Sequence, residues 1–247
     1  MDKNIDENNN QAVNGSVNFA NLIGMLAHEI KNPLSTIKVN LKLISEDLRR
    51  EGFVPAGRQG DNFAINRLLN KITVVQKETD RLEHILDGFL RYTDDAVLTL
   101  SHIDINELVG DMVDFFGPQA RSHSIIVRTF FAPEQLICKV DENMIKQVVL
   151  NIFLNSQQAM NNGGELMIRT DRQDNDAVIQ ISDTGCGIAA DKVEKIFDMY
   201  YSSKPDGAGL GLAIAQKIIK KHKGTMDVTS EPGKGTAFTL KLPLKTE

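Results

Sequence analysis

"ISDTGCGIAADKVEKIFDMYYSSKPDGAGLGLAIAQKIIKKH", Ile181 to His222, is the stretch on which the fold turns. It begins as the end of an apolar, alternating run, "DAVIQISD", which reads as a strand. The strand stops at a first glycine cluster, "DTGCGI", Asp183 to Ile188. A second cluster, "GAGLGL", Gly207 to Leu212, opens a helical run ending in "KKH". Glycines let backbone amides approach a polyphosphate, and a helix N-terminus favours anions. The second cluster is not a P-loop, because no Gly-Lys-Ser/Thr follows it. It is not a dinucleotide fingerprint either, since no βαβ unit surrounds it.

Downstream, "GTMDVTSEPGKGTAFTLKLP" reads as a closing hairpin with "PGKG" at its turn, so a third cluster, "GKGT", lies between strands. Upstream, "GELMIRTDR" and "DAVIQISD" form a second hairpin. "DENMIKQVVLNIFLNSQQAM" is a helix starting at Asp141. On it Asn151 and Asn155 are four apart and share a face with Gln147, Gln158 and Asn162. Two readings satisfy that stripe: a solvated polar face, or amide oxygens turned toward magnesium and phosphate. Magnesium takes hard oxygen ligands and keeps several waters, so one or two protein ligands suffice. "SIIVRTFF" and "LICKV" read as strands, and "DINELVGDMVDFF" as a helix capped by Asp104. Helices mixed with mostly antiparallel strands predict an α+β two-layer sandwich over 98–247.

The first third of the chain has a different texture. Residues 1–17 are polar and asparagine-rich, which predicts a disordered tail. From 18 to 97, two runs carry apolar residues at intervals of three and four. The first is Leu26, Ile30, Pro33, Ile37, Leu41, Ile44 and Leu48; the second runs from Ile65 through Leu68, Ile72, Val75, Leu82 and Leu86 to Phe89. A Gly- and Pro-rich loop, Glu51 to Asp61, joins them. The result is an all-α hairpin, which cannot bury both stripes alone. A homodimeric four-helix bundle solves this. Hydrophobic residues at 41% and charged residues at 25% suit a globular protein, and the net charge of -5 argues against nucleic acid as a partner. No run is long enough for a membrane span. Cys138 and Cys186 lack metal-ligand or disulfide spacing, so a reducing cytoplasm is expected.

A helix with paired asparagines, then "DTGCGI", "IFDMYYSSK", "GAGLGL" and "GKGTAF", resembles the ATP-binding domain of sensor histidine kinases across Ser101 to Pro243. Those domains share a superfamily with the ATPase domains of type II topoisomerases and Hsp90. The short "YYSSKPDGAGLGL" is most similar to nitrogen-regulatory-type kinases. The resemblance implies ATP and Mg2+ as ligands. Asp183 accepts from the adenine amino group, and a carboxylate suits that contact because it only accepts. Gly185 and Gly187 complete that box, and Phe197 forms the next. Asn155 is the magnesium ligand and Asn151 lies beside the triphosphate. Lys204 faces a β- or γ-phosphate. Gly207, Gly209, Leu210 and Gly211 cradle phosphates, and Asp198 to Ala208 forms a mobile lid.

The hairpin then gains meaning through "MLAHEIKNPLSTI", Met25 to Ile37. A zinc protease needs H-E-x-x-H, and the second histidine is replaced here by Asn32. "HEIKNP" instead resembles the dimerisation and phosphoacceptor domain of the same kinases, across Asn18 to Thr93. With Leu26, Ile30, Pro33 and Ile37 on the seam, His28 takes the outermost heptad position, open to an ATP domain and to a second protein. The resemblance implies that His28 is phosphorylated from ATP and passes the phosphoryl group to an aspartate on the receiver domain of a response regulator. Glu29 shares the proton of the imidazole's other nitrogen, and Asn32 orients water to dephosphorylate the regulator. Sensory input is expected from a separate domain or subunit. His84, His102, His123 and His222 are read as surface or structural residues, and Cys186 has no assigned role.

Overall fold

The computed structural model describes residues 24, 26–27, 29–48, 61–93, 97–202 and 209–245. The tail 1–17, His28, the loop as far as residue 60, Lys204 and Gly207 lie outside the described residues. The chain divides into two compact units, Met1–Leu90 and Arg91–Glu247.

The first unit is a pair of helices, α1 (29–48, with 24, 26 and 27 also helical) and α2 (Asp61–Thr93). Their ion pairs set the direction. Glu29, early in α1, meets Arg81, late in α2, while Asp47, late in α1, meets Arg67 and Lys71, early in α2. The helices are therefore antiparallel. α1 stays helical through Pro33, whose ring is buried. The expected stripes are only half covered within one hairpin: Leu41, Leu48, Ile65, Ile72 and Leu86 remain exposed.

The second unit begins with β1 (Ser101–Asp104), which sequence periodicity alone missed, and α3 (Ile105–Ser122). Asp104 caps α3 as expected, its Oδ1 accepting from the Asn106 and Leu136 amides. Next come β2 (Ile125–Phe130), β3 (Ile137–Val140) and α4 (Glu142–Ala159). β4 (Gly164–Gln173) and β5 (Asp176–Asp183) form a hairpin. A short α5 (Ala190–Val193) and a 3-10 turn (Lys195–Phe197) lead toward α6 (Gly211–Lys221). β6 (Thr225–Glu231) and β7 (Gly235–Pro243) close the unit.

The main sheet has the order β2-β4-β5-β7-β6, and β1 pairs only with β3. All main-sheet pairings are antiparallel except β2 with β4, whose connection runs through β3 and α4. Helices α3, α4 and α6 contribute the apolar core with one face of the sheet. Phe116 of α3 and Phe153 of α4 pack with ring centroids 5.2 Å apart. On the inner face of β4, β5 and β7, two registered rows are apolar but for Thr170: Ile168, Ile181 and Phe238, then Thr170, Ile179 and Leu240. The last row changes character, because Leu166 is followed by Asp183 and Thr236, both buried.

α4 is held at its start by a chain of bonds. Asp141 accepts from Met144 N–H through Oδ1 and from Thr99 N–H through Oδ2, at 3.2 and 2.9 Å. Its own amide donates to His222 Nε2 at 3.0 Å, and His222 Nδ1 lies 2.8 Å from the Ile218 carbonyl. Because Nε2 must accept, the ring proton sits on Nδ1. His222 is therefore a structural residue that ties the end of α6 to the start of α4.

Candidate functional site

The polar row at the end of the sheet opens the site. Asp183 is 6% exposed, and its Oδ1 accepts from the Gly185 amide at 2.9 Å. The next turn lies against the end of α4: Cys186 N–H donates to the Ala159 carbonyl, and Gly233 N–H donates to the Cys186 carbonyl. Gly185 has no room for a side chain, since a Cβ there would stand 2.7 Å from the Ala159 Cβ and 2.8 Å from Asp183 Oδ1. Gly187 lies against the Glu231 carbonyl. The strand end, the helix end and the "PGKG" turn thus form one wall.

The second wall is α4 against the start of α6. The amide of Asn151 donates to the Gly211 carbonyl at 3.0 Å, spanning 60 positions of sequence. This bond brings two motifs together that sequence could only place in order. Asn155, one turn further along α4, is half-buried, as are Gln147 and Asn151. The amide stripe is therefore half-buried at Gln147, Asn151 and Asn155 and exposed at Gln158, while Asn162, expected on the same face, lies in the turn beyond the end of α4.

α6 starts without a side-chain cap. Its first-turn N–H groups lack intrahelical acceptors, which makes this end an anion site. Leu210 is buried and anchors the turn, its carbonyl accepting from Ile214 N–H at 2.9 Å. Gly209 has φ +64°, and a Cβ there would meet the Tyr200 carbonyl carbon at 2.5 Å. Its own carbonyl accepts from Tyr200 N–H at 3.0 Å. Phe197 packs against the core below it.

Two features escaped sequence reasoning. Thr236, in the quoted "GKGT", is the cross-strand neighbour of Asp183, and only strand register reveals this. Its Oγ1 is 2.9 Å from Ser230 Oγ. Ser230 Oγ also accepts from Ile188 N–H and donates its single proton to the Gly235 carbonyl, both at 2.8 Å. Thr236 must then donate to Ser230, leaving its own lone pairs for a donor in the pocket. In the hairpin, Glu29 is half-buried and lies 3.7 Å from the Arg81 guanidinium. Asn32 is exposed.

Residues suited to magnesium can be tested against this arrangement. Among the described residues no cluster of three or more His, Cys, Asp or Glu could hold a metal. Asn155 is half-buried one turn along α4 from Asn151, whose amide reaches the uncapped start of α6; an amide oxygen there fits an ion that keeps most of its waters and binds phosphate oxygens.

Comparison with known proteins agrees with both units. Residues 20–95 match the family described as His Kinase A (phospho-acceptor) domain. Residues 140–246 match the histidine kinase-, DNA gyrase B- and HSP90-like ATPases. The sensor histidine kinase ZraS of Escherichia coli is 34% identical over 92% of this chain and 46% of its own length. The signal transduction histidine-protein kinase AtoS of the same organism is 33% identical, over 92% of this chain and 35% of its own. The chain thus spans less than half the length of these curated relatives. Among solved structures, the catalytic domain of histidine kinase ThkA is 27% identical with a TM-score of 0.54, covering 59% of this chain and 95% of that one. ThkA in complex with the response regulator protein TrrA matches 99% of this chain and 67% of that one, with a TM-score of 0.74 at 22% identity.

Proposed function

We propose, for a chain that belongs by its paired domains to the sensor histidine kinases of two-component systems, an ATP-dependent protein-histidine kinase that phosphorylates itself on His28. The observation that carries this reading is the Asn151–Gly211 bond, which joins the asparagine helix to the glycine-opened helix. In it, residues 98–247 bind ATP and residues 18–97 form the dimeric phosphoacceptor. Asp183 and Gly185 hold the adenine, while Gly207, Gly209, Leu210 and Gly211 present backbone N–H groups to the phosphates. Lys204 adds a positive charge there. Asn155, with Asn151 beside it, holds Mg2+, which when bound neutralises charge on the phosphate oxygens.

A nitrogen of the His28 imidazole attacks the γ-phosphorus in line. The N–P bond forms as the bond to the β,γ-bridging oxygen breaks, and ADP leaves with that electron pair. Glu29 takes or shares the proton on the other ring nitrogen, and the Arg81 guanidinium orients its carboxylate. The phosphoryl group then passes to an aspartate on a response regulator's receiver domain. Asn32, one turn from His28, directs water to that acyl phosphate for the reverse, phosphatase role. Free thiols at Cys138 and Cys186 suit a cytoplasmic setting.

Incubation with γ-labelled ATP and magnesium is the test. Acid-labile, base-stable label is expected on the wild-type chain and none on His28→Gln. Label persisting in His28→Gln refutes the site, and ATP turnover without protein label refutes the kinase reading.

A further inference from the structure

Helices α4 and α6 are fastened together at two points. At one, Asn151 donates to the Gly211 carbonyl at the start of α6. At the other, the Asp141 amide, just before α4, donates to His222 Nε2, just past the end of α6. The stretches between the fastenings match. Asp141 to Asn151 is ten positions and His222 back to Gly211 is eleven, about 15 Å and about 16 Å of helix. The pair therefore runs antiparallel. One fastening lies among the residues proposed to hold the triphosphate, and the second lies at the far end.

The far fastening carries an extra bond. A helix cap needs one side-chain oxygen, and Asp141 Oδ1 supplies it to Met144 N–H. Its Oδ2 is taken by the Thr99 amide at 2.9 Å, from 42 positions upstream. Asp141 is 8% exposed. Without this donor, Oδ2 is a charged oxygen largely shut off from water, which is a costly state. Thr99 lies four positions past the matched phosphoacceptor domain, which ends at residue 95, and two before β1. It therefore belongs to the linker between the two domains. The cap of α3 makes no such connection, since Asp104 Oδ1 serves the amides of Asn106 and Leu136, neither of them in that linker.

We propose that Asp141 is a positioning residue that couples the linker at Thr99 to ATP binding. With Thr99 N–H on Oδ2, Asp141 is held where its own amide fastens His222, and α4 and α6 keep the arrangement that receives the triphosphate. With Thr99 withdrawn, Asp141 turns toward water for a second donor and the bond to His222 loosens. This rests on the nucleotide reading above. The coupling is reciprocal: a linker shift that breaks the tie weakens ATP binding, and bound nucleotide tightens the tie by the same factor.

The test combines amide hydrogen exchange of the whole chain, with and without a saturating non-hydrolysable ATP analogue and magnesium, with calorimetric binding of that analogue. Nucleotide should slow exchange of the Thr99 amide about fivefold, and that of the Asn106 amide, bonded to the other cap, far less. Asp141→Asn keeps an oxygen for Met144 but turns toward Thr99 an NH2 group that cannot accept. It should bind the analogue about fivefold more weakly and leave Thr99 exchange unresponsive to nucleotide. Thr99→Pro removes the N–H from the other side of the same bond. It should weaken binding to the same extent, and the double variant should weaken it no further. Equal slowing of both amides, unchanged affinity in either variant, or additive losses in the double variant overturns the proposal and leaves Asp141 an ordinary helix cap. No nucleotide binding by wild type overturns the nucleotide reading and this inference with it. If Asp141→Asn does not fold, Thr99→Pro, which leaves the cap in place, must show the weakened binding and wild type the selective slowing.

Discussion

Asp183 has its Oδ1 committed to the Gly185 amide, which shapes the turn. In the proposed nucleotide pocket, base recognition would therefore use a side chain already oriented by its own loop. Asp183→Asn turns one acceptor oxygen into a donor. It should weaken ATP binding by about 10- to 100-fold, the scale of one charged hydrogen bond, and calorimetry reads this directly. The hairpin should keep its oligomeric state, because the residue lies in the other unit. Cys138 is a second residue whose chemistry follows from place. It is fully buried, and burial pushes its thiol up to about 12, helped by the nearby carboxylates of Asp176 and Asp104. The sign follows from linkage. Below pH 9.0 the thiol is protonated whether the chain is folded or not, and stability is unaffected. Above it the unfolded chain releases this proton and the folded chain does not, so stability falls as pH rises toward about 12. Cys138→Val should show a shallower loss of stability over that window than wild type in denaturant titrations, and equal slopes would remove the thiol as the cause.

At the scale of elements, the groove depends on how α4 is held. Asp141 caps its first turn, ties down the Thr99 amide and, through its own N–H, engages His222. Asp141→Ala should destabilise the ATP-binding unit by about 1–2 kcal/mol, the usual cost of losing a capping side chain, as read by its thermal midpoint. Saturating ATP should recover part of that loss, because binding to the folded state stabilises it. The asparagine stripe shows what an element contributes beyond spacing. Helical geometry puts Asn151 and Asn155 on one face, yet a solvated face has the same pattern. Only α6 packed alongside, with its Gly211 carbonyl in reach of Asn151, makes that face a groove.

At the scale of the molecule, the hairpin carries an unfinished surface. Leu41 is 52% exposed and Ile72 42%, a density of exposed apolar side chains on opposing helices that a partner is needed to cover. A second copy matches, since two amphipathic hairpins close a four-helix core. The double variant Leu41→Asp/Ile72→Asp should sediment as a monomer, still bind ATP with wild-type affinity, and lose most of its histidine label. A variant that stays dimeric would place the interface elsewhere. Among the described residues no helix is long and apolar enough to cross a membrane.

Periods and punctuation in the sequence determined most of the elements. Heptad-like spacing marked α1 and α2, Asp104 and Asp141 marked the helix starts, and the glycine clusters marked the turns at the end of β5, before α6 and between β6 and β7. These are local signals, written within a few residues of where they act. β1 and the parallel β2–β4 pairing were not legible, because a four-residue edge strand has too little periodicity and pairing is a long-range property. Thr236 went unread for a related reason. A lone hydroxyl residue has no signature of its own, and its meaning comes from cross-strand register and from burial beside a residue far away in the chain. Tertiary structure alone decided that the end of β5 and the start of α6 both come against α4, because contacts between segments far apart in the chain are set by packing and not by local sequence.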